Sequence, residues 1–137
     1  MNTKFTELVE LAAKAREKSY CPYSDFAVGA ALLCSDGEIF TGANIESSSY
    51  TPTVCAERVA LSTAVHAGKR EFAAIAITGG KAHEPLSSFA PPCGVCRQFM
   101  AEFCEPEMPV LLFDGSNVKE LTLGELLPES FTKKNLI

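Results

Sequence analysis

Three cysteines have the spacing that a metal site requires. Cys93 and Cys96 form a C-x-x-C pair, and Cys55 lies upstream in the run Thr-Val-Cys-Ala-Glu. Thiols at positions i and i+3 lie on one side of the first turn of a helix, where both can reach one ion. The unpaired N–H groups of a helix N-terminus also favour thiolates. On its own, the C-x-x-C pair is also typical of a redox dithiol, which would form a disulfide and hold no stoichiometric zinc.

Three thiolates occupy only three of the four ligand positions of zinc, so they predict a catalytic site with water at the fourth position. A structural site would instead make the protein a non-catalytic binding module. It would need a fourth ligand from the remaining cysteines and histidines, which are Cys21, Cys34, Cys104, His66 and His83. Cys34 and Cys104 lie in apolar segments, and we expect both to be small buried core residues.

Glu57 follows Cys55 by two residues and is the candidate proton carrier. A carboxylate beside a metal-bound water can take its proton and return it to a substrate nitrogen. Residues i and i+2 of a helix point about 200° apart, so this role requires the metal to lie beyond the helix tip. The alternative is that Glu57 is an ordinary acidic residue of a first helical turn, where the dipole favours negative charge.

The elements that must position these residues follow from apolar spacing. Apolar residues at i, i+3, i+4 and i+7 predict an amphipathic helix over residues 3–19. The run Val28–Cys34 predicts a strand, and Asp36-Gly37 predicts a tight turn into a second strand, Glu38–Ala43. The sheet is therefore expected to begin with an antiparallel hairpin.

The rest of the chain alternates between helices and strands. After a polar loop, Thr51 as N-cap and Pro52 at the first helical position predict a helix that ends at Gly68. The remaining predicted elements are a strand at Ala73–Thr78, a helix from the C-x-x-C pair to Phe103, a strand at Pro109–Phe113 and a short helix with the capping box Thr122–Glu125. This alternation predicts an α/β domain in which helices flank one sheet.

Length and charge exclude several classes of protein. A chain of 137 residues fits one domain, residues 1–137. Its formal net charge is −5, and no basic cluster exceeds Lys69-Arg70 and Lys133-Lys134, so no polynucleotide partner is expected. The longest apolar stretch, Ala27–Cys34, is far shorter than the roughly 18 residues of a membrane span, so no membrane is expected either. The N-terminus has no apolar signal core, which predicts a cytoplasmic protein with reduced thiols.

The sequence resembles the cytidine deaminase family of zinc hydrolases, in the small form with three cysteine ligands. Five segments carry the resemblance: Cys55–Arg58, Pro92–Gln98, Pro22–Leu32, Asn44–Tyr50 and Glu125–Pro128. It implies a three-layer α/β/α domain with one mixed, roughly five-stranded sheet, assembled as a homotetramer. The family loop often reads Asn-x-Glu-Asn-Ala-Ser-Tyr, whereas Ser47 and Ser48 replace the Asn-Ala pair here, which affects only local hydrogen bonding.

The resemblance implies that the three cysteines hold one zinc ion per chain. Glu57 would then move a proton from the metal-bound water to the pyrimidine ring nitrogen and help ammonia to leave. Three thiolates around Zn²⁺ leave a net charge of −1, which weakens the metal as a Lewis acid. Arg58 and Arg97 adjoin the site, and a guanidinium that binds a thiolate would offset this charge. The alternative is that both arginines are solvated surface residues.

The resemblance also implies the substrate contacts. Asn44 and Glu46 resemble the pair that grips ribose hydroxyls, and side chains two residues apart in an extended loop point the same way. Because a carboxylate repels phosphate, Glu46 favours a free nucleoside over a nucleotide. Phe26 would pack against the substrate, and the Ala56 N–H would meet the carbonyl of the base.

Two further aromatic residues belong to this set. The resemblance implies that Tyr50 supports the loop or an interface. Phe131 resembles an aromatic residue that reaches a neighbouring subunit's site in tetrameric relatives. The alternative for Phe131 is packing on its own core. The implied reaction converts cytidine and 2′-deoxycytidine to uridine and 2′-deoxyuridine with release of ammonia, in pyrimidine salvage. An aminopyrimidine such as blasticidin S is the alternative substrate, but Glu46 suits a ribose 3′-hydroxyl and so favours the plain nucleoside.

Overall fold

A sheet of five strands forms the middle layer of the protein. The computed structural model describes residues 2–136. The strands are β1 (Phe26–Cys34), β2 (Ile39–Ala43), β3 (Phe72–Lys81), β4 (Pro109–Phe113) and β5 (Val118–Thr122). The helices are α1 (Thr3–Ala15), α2 (Ala56–His66), α3 (Gly94–Phe103) and α4 (Leu123–Leu126). No helix within these residues is both long and apolar enough to span a membrane.

The strand order is β2-β1-β3-β4-β5, and the sheet is mixed. Strand β1 is antiparallel to both β2 and β3, and β4 is antiparallel to β5. Strands β3 and β4 are parallel, which requires a crossover connection, and α3 lies in it. The predicted hairpin, the mixed five-stranded sheet and the three-layer arrangement are confirmed.

Side chains of β1 alternate between two cores. Leu32 and Cys34 pack in the core under α2 and α3, whereas Ala31 and Leu33 pack in the core under α1. Because both faces of the sheet are covered, its inner strands appear in the sequence as continuous apolar runs. Cys34 and Cys104 are both buried, as predicted.

Two glycines let the helices rest directly on the sheet. A Cβ at Gly29 would overlap the carbonyl oxygen of Ala12 in α1. On the other face, a Cβ at Gly42 would lie 2.5 Å from the carbonyl oxygen of Ala56 in α2. These close approaches place the N-terminus of α2 over β2, and this N-terminus carries the predicted metal ligand Cys55.

Helix α2 begins later than predicted, so the assignment of Thr51 as N-cap and Pro52 as the first helical residue is wrong. The N-cap is Cys55. The backbones of Ile45 and Val54 exchange N–H···O bonds of 3.0 and 2.9 Å, and this bridge keeps Val54 extended. Pairing between distant parts of the chain therefore overrides a local capping preference.

Two other elements differ from prediction. Helix α1 ends at Ala15 and continues only as a 3-10 turn, Arg16–Lys18, instead of running to residue 19. Strand β5 was not located in the sequence, because this five-residue edge strand has two exposed charged residues, Lys119 and Glu120, in its middle and no apolar period. The short helix α4 has the capping box between Thr122 and Glu125 that the sequence predicts.

Candidate metal centre

The three predicted cysteines come together at two helix N-termini. Cys55 is the N-cap of α2, Cys93 is the N-cap of α3, and Cys96 lies in the first turn of α3. All three Sγ atoms lie within 4.8 Å of one another, and those of Cys55 and Cys93 are 3.7 Å apart. Tetrahedral Zn–S bonds of about 2.3 Å place ligand sulfurs about 3.8 Å apart. The thiol spacing therefore fits one zinc ion.

The group contains three ligands and not four. Among residues 2–136, no further cysteine, histidine, aspartate or glutamate joins the three sulfur atoms. A zinc ion held by three protein ligands keeps one position for water or substrate, as in catalytic sites. The described residues therefore offer no fourth ligand to close a structural site, and Cys93 and Cys96 are free thiols without a disulfide between them.

The site favours thiolate at Cys55. The pKa of this thiol is lowered because Cys96 donates a hydrogen bond to it and Arg58 adds a second donor and a positive charge, although burial acts against the thiolate. The hydrogen bond that Cys96 gives to Cys55, and then burial, raise the pKa of Cys96. Since zinc binds thiolates, its binding would displace the proton that these two sulfurs share.

Arg58 lies where a guanidinium can draw charge from a thiolate. Its Nη2 atom is 3.7 Å from the Cys55 sulfur and 3.5 Å from the Thr53 carbonyl oxygen. The Nε atom of Arg58 is buried and has no hydrogen-bond partner within the described residues. The arginine thus belongs to the surroundings of the thiols and not to a solvated face.

Arg97 makes different contacts from those expected. Its guanidinium donates to the carbonyl oxygens of Pro92 and Leu126, both at 2.7 Å, and not to a thiol. These bonds fasten the segment that precedes Cys93 to the end of α4. Arg97 therefore holds the backbone beside a metal ligand, and it does so through carbonyl groups that sequence spacing does not reveal.

Glu57 lies in the first turn of α2 and is only 3% exposed. One of its carboxylate oxygens, Oε1, is buried without a hydrogen-bond partner within residues 2–136. Burial disfavours the charged carboxylate and raises the pKa of Glu57 to about 7, and the charge on Cys55 acts in the same direction. A carboxyl group with a pKa near neutrality can both accept and donate a proton.

The geometric objection to Glu57 does not apply. Cys55 is an N-cap with extended backbone angles, φ −77° and ψ 156°, so the separation of i and i+2 around a helix does not hold for this pair. The carboxylate is also not one of the grouped ligand atoms. Glu57 therefore lies next to the metal centre without belonging to its ligand set.

A pocket of about 300 Å³ opens beside the thiols. Its volume is at the lower end of the range for small-molecule sites. The pocket lining includes predicted residues of three kinds, namely metal ligands, the proton carrier and substrate contacts: Cys55, Cys93, Glu57, Phe26, Asn44 and Glu46. The structure thus brings together residues from four separate segments of the chain.

Asn44 is only 8% exposed and is bonded to the start of β1. Its Oδ1 atom accepts from the Val28 N–H at 2.9 Å and from the Ser19 hydroxyl at 2.5 Å. Its Nδ2 atom donates to the Phe26 carbonyl at 2.8 Å. One amide hydrogen remains for a ligand, so Asn44 both shapes the pocket and can face a substrate. Sequence reasoning missed the first of these roles.

Glu46 is held by three donors from one turn. Its Oε1 atom accepts from the N–H groups of Tyr23 and Ser24 at 3.0 and 3.1 Å, and the Ser24 hydroxyl donates to Oε2. Burial opposes the negative charge, but the hydrogen bonds from Ser24 and Tyr23 outweigh it, so the pKa of Glu46 is lowered. Ser24 was not among the predicted site residues.

The three other predicted substrate contacts, Ala56, Tyr50 and Phe131, are not in the lining of this pocket. Ala56 is the first residue of α2, a position where a helix leaves its N–H without an intrahelical partner. Tyr50 is 72% exposed, lines an adjoining cavity and packs edge-on against Tyr23, with ring centroids 6.2 Å apart. Phe131 is 62% exposed, and its carbonyl accepts from the Gln98 side chain at 2.8 Å.

An α/β/α domain that gathers three thiols at two helix tips beside a buried glutamate has the features of zinc-dependent hydrolytic deaminases. Residues 2–112 match the family model of the cytidine and deoxycytidylate deaminase zinc-binding region. The chain belongs to this family.

Several proteins resemble the chain over nearly its whole length. A cytidine deaminase from Sporosarcina psychrophila is 47% identical over 131 residues, which are 95% of this chain and 93% of that protein. The crystal structure of a cytidine deaminase from Burkholderia pseudomallei is 46% identical with a TM-score of 0.84, and the match covers 96% of this chain and 100% of that one. A blasticidin-S deaminase from Bacillus cereus is 33% identical over 130 residues, 91% of this chain and 92% of that protein.

Proposed function

We propose that the protein hydrolyses cytidine and 2′-deoxycytidine to uridine and 2′-deoxyuridine with release of ammonia, in pyrimidine salvage. The observation that carries this proposal is a buried glutamate with an unpartnered carboxylate oxygen beside three thiols spaced for one zinc ion. Similarity to named cytidine deaminases supports the choice of substrate. We treat residues 1–137 as one catalytic domain.

The thiols of Cys55, Cys93 and Cys96 hold the zinc ion in this proposal, and their spacing supports that role. Bound zinc lowers the pKa of a coordinated water so that a nucleophile is available near neutral pH. The guanidinium of Arg58 draws negative charge from the Cys55 sulfur. Arg97 keeps Cys93 in place through the Pro92 carbonyl.

Glu57 carries the protons of the reaction. The carboxylate accepts the proton of the attacking water and passes it to the ring nitrogen, which makes the carbon that bears the amine electrophilic. It then takes the remaining proton from the hydroxyl that has been added to this carbon and delivers it to the departing amine. The C–N bond breaks as the carbonyl forms, so that one water is consumed and one ammonia is released. A pKa near 7 suits both steps, and such general acid–base catalysis is typically worth ~10²–10⁴ in rate.

The pocket wall binds the nucleoside. Phe26 packs against the substrate, the Ala56 N–H meets the carbonyl of the base, and Asn44 with Glu46 binds the sugar hydroxyls. The position of three of these residues on one pocket with Glu57 supports these roles. The negative charge that hydrogen bonds maintain on Glu46 disfavours a substrate with a phosphate group.

We further propose a homotetramer in the cytoplasm, with sites near the subunit interfaces. Exposed aromatic rings at Tyr23, Tyr50 and Phe131 support the assembly, since exposed aromatic side chains are enriched in interfaces. Tyr50 and Phe131 then contribute to an interface and to a neighbouring site. Six free thiols suit a reducing compartment.

The test is the loss of aminopyrimidine absorbance on adding cytidine, 2′-deoxycytidine or blasticidin S to the purified protein. We expect turnover of both nucleosides, its loss after chelation and its return with added zinc. The 33% identity with a blasticidin-S deaminase makes blasticidin S the relevant competitor. Faster turnover of blasticidin S than of the nucleosides would make blasticidin S the substrate in place of cytidine. Inactivity of the zinc-loaded protein on both nucleosides would refute the proposal.

A further inference from the structure

Ser24 joins the loop of Glu46 to the beginning of β1. Its hydroxyl donates to Glu46 Oε2 and accepts from the Phe26 N–H at 3.0 Å, while its own N–H donates to Glu46 Oε1 at 3.1 Å. Phe26 and Glu46 both line the pocket beside the thiols, and so does Ser24. One serine therefore contacts two residues that have proposed roles in binding the nucleoside.

The Ser24 hydroxyl fixes the plane of the Glu46 carboxylate. The last torsion of a glutamate side chain is broad, and the N–H groups of Tyr23 and Ser24 both bind the same oxygen, Oε1. With both N–H groups bound to Oε1, the carboxylate can still rotate and Oε2 can change position. The Ser24 hydroxyl, which donates to Oε2, prevents this rotation. A carboxylate has about four acceptor sites, so at least one stays available for a ligand hydroxyl.

The direction of the Ser24 hydroxyl is itself determined. Because its oxygen accepts from the Phe26 N–H, its single proton is left for Glu46. Asp25, which lies between Ser24 and Phe26, has a left-handed backbone with φ 58°, and its carbonyl accepts from the Ala82 N–H at 2.8 Å. This turn lets the Ser24 oxygen reach an N–H two residues further on.

We propose that Ser24 is a positioning residue whose hydroxyl holds the Glu46 carboxylate in the orientation that accepts a hydrogen bond from the sugar 3′-hydroxyl. The inference rests on the proposed function and adds the residue that controls recognition of the sugar. If the Glu46 carboxylate rotates freely, its hydrogen bond to the 3′-hydroxyl is weakened. Substrates that carry this hydroxyl are then bound less tightly, whereas substrates without it are unaffected. Loss of Ser24 should therefore be selective for the sugar.

The experiment compares Ser24→Ala with the wild-type protein on 2′-deoxycytidine and 2′,3′-dideoxycytidine, which differ only in the 3′-hydroxyl. We expect kcat/KM for 2′-deoxycytidine to fall roughly ten-fold, mainly through KM, the scale of one hydrogen bond to a charged group. The value for the dideoxynucleoside should change less than about two-fold, because that substrate does not use the bond. Ser24→Thr, which keeps a hydroxyl, should stay close to wild type.

A double-mutant cycle separates positioning from a general effect on the fold. In a Glu46→Ala background, Ser24→Ala should alter kcat/KM for 2′-deoxycytidine by less than about two-fold. Equal losses on both substrates, an undiminished loss in the Glu46→Ala background, or a Ser24→Ala protein equal to wild type would each overturn the inference. If the wild-type protein is inactive on both cytidine and 2′-deoxycytidine, the proposed function itself is refuted. This outcome is seen before any variant is made, so it is distinct from failure of the Ser24 inference.

Discussion

Residue type and spacing predict the metal ligands, because two helix N-termini are the natural place for thiolates. Cys55 and the pair Cys93 and Cys96 were predicted from this argument, and the structure brings their sulfurs within 4.8 Å of one another. The burial of Glu57 is a tertiary property. It depends on packing between α2 and the rest of the protein, and local sequence left its role open.

Cys96→Ser should abolish stoichiometric zinc binding, since a serine hydroxyl is a poor replacement for a thiolate on zinc. Metal analysis of the purified variant should give far less than the one zinc per chain expected of the wild type. Cys104→Ser is the matched control, because Cys104 is also a buried cysteine at an end of α3, and burial raises its pKa to about 12. Full zinc content in Cys96→Ser would contradict the proposed ligand set.

At the scale of elements, the alternation of apolar and turn-forming segments predicts most of the fold. The hairpin, the end of α2 at His66 just before Gly68 and the α4 capping box depend on residues close together in the chain. The predicted start of α2 was wrong because Ile45 pairs with Val54, and a prediction from neighbouring residues cannot include a contact between residues nine positions apart. Strand β5 was missed because it is a short edge strand whose middle residues, Lys119 and Glu120, are exposed and charged, so it has no apolar pattern.

The position of α2 on the sheet depends on Gly42. Gly42→Ala should lower the free energy of unfolding by about 1–3 kcal/mol, because the new methyl group meets the α2 backbone at Ala56, which cannot move without displacing Cys55. Chemical denaturation measures this loss. Gly94→Ala is the control, since no heavy atom beyond the adjoining residues and the backbone of its own helix lies within 4 Å of the added Cβ. Equal stability of the two variants would show that α2 does not rest tightly on β2.

At the scale of the whole molecule, three aromatic side chains lie exposed on the surface, where the proposed assembly would bury them. Tyr23 and Tyr50 line the cavity that adjoins the pocket, and these two residues and Phe131 are all at least half exposed. Sequence resemblance gave the tetramer as an expectation, whereas the contacts between subunits depend on a surface that forms only after folding. The assembly therefore remains a prediction.

Light scattering should give a mass near that of four chains. If Phe131 reaches a neighbouring site, Phe131→Ala should lower kcat/KM for cytidine roughly ten-fold, because the substrate loses one aromatic contact to its base. Leu136→Ala is the control, because Leu136 is a neighbouring apolar residue that is 77% exposed. A monomer with full activity would contradict the shared site, and equal effects of the two variants would remove the role of Phe131.

The central claim is that three thiols hold one zinc ion and that Glu57 moves protons beside it without binding the metal. The most direct test measures zinc content and cytidine turnover together in Glu57→Gln, with Glu10→Gln on the exposed face of α1 as the control. We predict about one zinc per chain in both proteins, and a loss of turnover of ~10²–10⁴ in Glu57→Gln alone. Unchanged turnover, or loss of zinc together with turnover, in Glu57→Gln would contradict this account.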